Sequence, residues 1–179
     1  VSRITVFLFN IQNLRWLLPA WYMKYKRLTS DELKELESEF VHFLAAAQIT
    51  GADWDKMKKN EHSKAEELIE IFSDMVYEKV LSKIKFLEYR EKKTLNIFNC
   101  EEERITLVGL RVHEHSNLDL TANDVFEQWS ESSSNAVNVI RTERPYQKER
   151  GVEIFELLQS GCYITDERLF SILKEMIRP

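Results

Sequence analysis

Between Ser63 and Tyr89, apolar residues recur at Ala65, Leu68, Ile69, Phe72, Met75, Val76, Val80 and Ile84. Steps of three and four place them on one face of a helix. Ile71, Tyr77 and Leu81 widen the stripe, so this long helix is expected at the centre of the core. Upstream, Thr29-Ser30-Asp31-Glu32 fits a capping box, with Leu28 and Leu33 placed as its hydrophobic staple. The helix it opens carries Leu33, Leu36, Phe40, Phe43, Leu44 and Ala47 on one face. A second box at Thr50 to Asp53, with Ile49 and Trp54 as staple, predicts a short helix to about Asn60, and a third at Ser63 to Glu66 opens the long one.

After Ile84 the period of the pattern falls from 3.6 to 2. Lys85–Tyr89, Thr94–Phe98 and Arg104–Val112 read as strands, and the short charged connections between them require antiparallel neighbours. On the third strand Thr106, Val108, Leu110 and Val112 share the face expected to pack on the long helix. Thr121 to Asp124 caps a short helix of Val125, Phe126 and Trp129, ended by the loop Ser132–Ser134. Ala136–Ile140 is a possible fourth strand, followed by a loop from Arg141 to Arg150. Two last helices, Gly151–Gln159 and Asp166–Ile177, are separated by Gly161, the second capped by Thr165 with Ile164 and Leu169 as staple. The pattern predicts a single α+β domain over residues 23–179: a helical N-terminal half packed on a three- or four-stranded antiparallel sheet, closed by two C-terminal helices.

Composition narrows the class of protein. Four glycines and three prolines disfavour a sandwich of many short strands. A net charge of −5 gives general nucleic-acid binding no electrostatic support. Cys100 and Cys162 are too few for a disulfide scaffold, and a reducing, cytoplasmic setting is expected. Residues 1–22 stand apart, with Arg3 and Arg15, no acid and two tryptophans. Their apolar run Ile4–Phe9 is short for a signal core and lacks a cleavage site, and no stretch is long enough to span a bilayer. The segment reads as an N-terminal extension or as a mis-called start ahead of Met23, dispensable to the fold.

Candidate chemistry is sparse. His113-x-His115 is the best metal pair, but no third ligand is marked by spacing, and solvated histidines at a strand end account for it; no cofactor or tightly bound metal is expected. Glu101–Glu103 read as a solvated hairpin tip, and Asp74, beside the apolar face of the long helix, is the acid to check for burial. Arg141, Arg144, Tyr146, Lys148 and Arg150 form the one locally basic stretch, able in principle to hold an anion or stack an RNA base. Neither cysteine has the adjacent histidine or C-x-x-C partner of a catalytic thiol, and no catalytic residue is assigned.

From Met23 onward the chain resembles an uncharacterised family of small cytoplasmic proteins from Bacteroidota. The resemblance rests on Tyr25-x-x-Leu28-Thr29 with Glu32-Leu33, Glu39-Phe40-x-x-Phe43-Leu44, Trp54, Phe72-Ser73-Asp74-x-Val76 with Val80-Leu81-x-Lys83-x-Lys85-Phe86-Leu87-Glu88, and Gly161-x-x-Ile164-Thr165. It covers residues 23–178 and implies no activity. The legible features are packing and capping features, so the expected function is a non-enzymatic interaction or adaptor protein with a protein partner. The alternative is a small enzyme or nucleotide- or RNA-binding protein using Arg141–Arg150.

Overall fold

A computed structural model describes residues 23–122 and 136–176, which form six helices and a five-stranded antiparallel sheet. The extension 1–22, the expected helix of Val125, Phe126 and Trp129 and the Ser132–Ser134 loop lie outside the described residues. The chain divides into two compact units, Val1–Lys79 and Val80–Pro179.

In the first unit, local capping chemistry sets the helix starts. Thr29 is extended (φ −68°, ψ 165°), its hydroxyl accepts the Glu32 amide, and the Glu32 carboxylate accepts the Thr29 amide at 2.7 Å. This box opens α1, Ser30–Glu35. The helix expected to run on to Ala47 is instead broken at Leu36 (φ −102°, ψ 23°), and α2 spans Glu37–Ala46. No glycine or proline marks this break. At the end of α2, Gln48 takes a left-handed φ of 61°, while the Ile49 amide bonds to Leu44 O and the Gln48 amide to Ala45 O, a Schellman ending built on a residue other than glycine. The Thr50–Asp53 box then opens α3, Gly51–Asn60.

The long helix α4, His62–Leu81, begins one residue before the expected cap, so Ser63 already lies inside its first turn and the third box does not set the start. Its last two residues belong to the second unit. Phe72 of α4 is buried with Leu28, Phe43 and Leu44, and Phe40, Trp54, Leu68 and Val76 pack around them. The Phe40 ring meets Phe72 and Trp54 at centroid distances of 5.0 and 5.2 Å. Met75 and Val80, placed by periodicity on the buried stripe, are exposed.

The segment preceding α1 is tied to α4 by polar contacts. The Asp74 carboxylate accepts the amides of Lys24 and Tyr25 at 2.8 and 3.0 Å, and Glu78 accepts Lys24 Nζ and the Tyr25 hydroxyl. The fully buried Ser73 hydroxyl accepts the Leu28 amide and donates to Ile69 O, satisfying itself along its own helix. Asp74 is therefore half-buried as an amide acceptor.

Replacing Thr29 with alanine is expected to cost about 1 kcal/mol, because both halves of its box are formed. The same change at Thr165 is expected to leave the denaturant midpoint nearly unmoved, for a reason that lies in the second unit. There the sheet order is β4-β3-β2-β1-β5, five strands rather than three or four. The strands β1 (Phe86–Glu91), β2 (Thr94–Cys100) and β3 (Arg104–Val112) form the expected meander. The strand β4, Val137–Pro145, runs through half of the expected loop, and β5, Tyr163–Thr165, pairs antiparallel with β1. Thr165 is thus a strand residue opposite Phe86, and Asp166 takes the capping role by accepting the Arg168 amide at 2.9 Å. Equal losses from the two threonine variants in denaturant titrations would contradict this assignment.

The helices of this unit after β4 are α5, Arg150–Gln159, and α6, Glu167–Met176. Leu95, Ile97, Val108, Leu110 and Val112 on one sheet face form a core with Phe170 and Leu173 of α6. The partner of that face in the described core is therefore α6, a helix far along the chain from the long helix expected there. On the opposite face a Cβ at Gly109 would come within 2.7 Å of both Asn96 Oδ1 and Leu95 O. Glycine lets the Asn96 side chain lie across the strand, where its Oδ1 accepts Arg111 Nη1 at 2.8 Å.

Candidate functional site

The basic stretch is distributed over an edge strand, a turn and the start of α5. Arg150 donates Nε to Glu101 O at 2.9 Å, Nη1 to Leu81 O at 3.1 Å, and Nη2 to Cys100 O at 2.9 Å and to Ile84 O. One guanidinium thus gathers the last carbonyl of α4, the approach to β1 and the β2–β3 turn. Tyr146 donates its hydroxyl to Glu101 O at 3.0 Å, and burial pushes its pKa up to about 12. Arg144, on β4, bonds the Glu153 carboxylate at 2.6 Å. Glu153 is buried in the first turn of α5 and also accepts the amides of Lys148 and Gln147. Burial acts to raise its pKa, but these three donors outweigh it and hold the carboxyl below the usual glutamate range. Lys148 pairs with Glu156, and Arg141 faces Glu143 at 3.4 Å.

His113 and His115 are both exposed in the turn after β3. Among the described residues no group of three or more histidine, cysteine, aspartate or glutamate side chains could hold a metal ion, and no helix is long and apolar enough to cross a membrane. Cys100 is buried, and loss of solvation raises its pKa to about 11, so its thiol stays protonated at neutral pH.

A different feature was not marked by the sequence: an open apolar groove at the β5 edge. Val80, Ile84, Phe86 and Ile164 supply its apolar walls, and Lys83, Lys85, Thr165, Asp166 and Glu167 complete them around a volume of about 470 Å³. Ile164 is 58% exposed, Val80 50% and Tyr163 48%, unusual values for large apolar and aromatic side chains. Among the described strands β5 pairs with β1 alone, so its outer edge has no strand partner among the described residues.

So short a strand is held by a buried polar anchor. The Glu88 carboxylate on β1, 2% exposed, accepts both the Tyr163 hydroxyl and Arg90 Nε, and Arg90 Nη1 goes on to Leu120 O at 3.1 Å. Burial, then the bond to Glu88, raises the Tyr163 pKa and keeps the phenol a donor. Alternation placed Glu88 in a strand, but nothing local signalled that its partner is Tyr163, 75 residues on.

These features define an α+β chain with an open sheet edge. The chain belongs to a family of unknown function, DUF6495, which it matches over residues 23–178. No curated protein and no solved structure matches it.

Proposed function

We propose that the chain is a non-enzymatic protein-interaction module of the cytoplasm in a member of the Bacteroidota, and that it engages its partner at the β5 groove. The observation that carries this reading is the groove itself: apolar walls beside a strand edge that has no partner among the described residues. The alternative, an anion or RNA site at Arg141–Arg150, would need those side chains available to a ligand. Arg150 is engaged by four carbonyls, Arg144 by Glu153 and Lys148 by Glu156, and this favours the interaction reading.

The test is affinity capture from the native host with the full chain and its Ile164→Asp variant, after checking that the two melt alike. Ile164 is exposed, so the substitution leaves the core intact. A protein retained by the wild type and lost from the variant is the expected result. Identical captures, or retention of nucleotide or RNA that disappears on Arg141→Ala, would overturn the proposal.

A further inference from the structure

Resting on that docking role, we infer that the groove receives an extended segment of a partner protein that adds a strand to the open edge of β5 and carries an apolar side chain beside an aspartate or glutamate. Three observations converge on this occupant. The edge of β5 presents main-chain groups with no described strand partner, and an extended chain satisfies them in a way a compact ligand does not. Val80, Ile84, Phe86 and Ile164 offer a place for one apolar side chain of such a segment.

The charges supply the third observation. The groove is lined by two lysines and two acids, but the acids are not equally available. Asp166 accepts the Arg168 amide at 2.9 Å and the Arg168 guanidinium at 2.9 and 2.6 Å, so its charge is answered within the turn that starts α6. Lys83 and Lys85 have no acidic partner among the described residues, in contrast to Lys24, Lys58, Lys64 and Lys148, each paired with a carboxylate. The lining thus holds two lysines without an acidic partner and, besides Asp166, one acid, Glu167, and this balance favours a carboxylate on the incoming segment. Ile164 and Tyr163 alternate to opposite faces of β5, so an added strand would place one set of its side chains toward the Ile164 side and the other toward Tyr163.

The experiment selects from a random peptide library with amidated C-termini on the immobilised full chain, then titrates the enriched peptides into isotope-labelled full chain by NMR. The expected outcome is enrichment of an apolar residue flanked by Asp or Glu, with amide shifts concentrated at Tyr163–Thr165 and Ile84–Phe86. The double variant Lys83→Glu, Lys85→Glu, whose changes are on exposed side chains, should weaken these peptides by roughly tenfold or more and turn selection toward Lys and Arg. Groove-dependent binding with no preference for acids, or affinity unmoved by the charge reversal, overturns the inference while leaving the docking role standing. Amide shifts confined to residues away from β5 overturn it as well. If neither peptides nor native partners respond to Ile164→Asp, both the inference and the docking role fall.

Discussion

Replacing Arg150 with methionine is expected to lower folding stability by about 3 kcal/mol, with lysine at the same position recovering only a minor part. The side chain supplies hydrogen bonds to the carbonyls of Leu81, Ile84, Cys100 and Glu101, and bonds from a charged donor are worth about 1.5–3 kcal/mol each before the losses overlap. Leu81 O stands at the C-terminal end of α4, where carbonyls lack helical partners and a cation is favoured by the helix dipole. Methionine keeps much of the apolar stem and removes the donors, so the loss reports the bonds more than the packing. Lysine keeps the charge but lacks the planar fork that spans divergent carbonyls. Denaturant titration of the three proteins checks this, and a methionine variant within about 0.5 kcal/mol of wild type would mean that water replaces the guanidinium at no cost.

Glu153→Gln is expected to cost about 2 kcal/mol near neutral pH, since it leaves Arg144 without its anion and weakens the acceptor for two turn amides. The pH dependence gives the sharper signature. The folded carboxyl titrates below its unfolded value, so its contribution is complete above the ordinary glutamate pKa of about 4.3. That contribution is lost as pH falls through the lowered folded value. The difference between wild type and Glu153→Gln should therefore be constant from pH 7 down to about 5 and shrink progressively below that. A difference unchanged down to pH 3 would assign the loss to geometry and not to the ionised carboxylate.

How much was legible in the sequence depended on how far each cause reaches along the chain. The caps at Thr29 and Thr50 were readable because donor and acceptor lie three residues apart. The meander was readable because its alternation and short connections are local. Arg150 was picked out for its charge, but its role was not readable, since its carbonyl partners lie 49 to 69 residues away. The strand β4 hid its second half because Arg141, Thr142, Glu143 and Arg144 resemble a loop, while at a sheet edge such polar residues are compatible with a strand and discourage unwanted pairing. The strand β5 is too short for any periodicity, and the staple-like spacing of Ile164 and Leu169 pointed to a cap that Asp166 fills instead. The candidate groove escaped for the same reason: it exists only once β5 lies beside β1.

The attachment of residues 24–28 to α4 carries a consequence for the order of events in folding. Its hydrogen bonds join positions 45 to 54 residues apart, whereas the caps and helices α1 to α3 form from neighbours. Closing a loop of that length costs only about 0.6 kcal/mol more than closing one half as long, yet the closure finds nothing to bond until α4 has set Ser73 and Asp74 on one turn and Glu78 on the next. Lys24 and Tyr25 are therefore expected to settle after helices α1 to α4 and to lift before them. The amides of Lys24 and Tyr25 should exchange with solvent hydrogen through openings that leave Leu28 packed with Phe43 and Phe72.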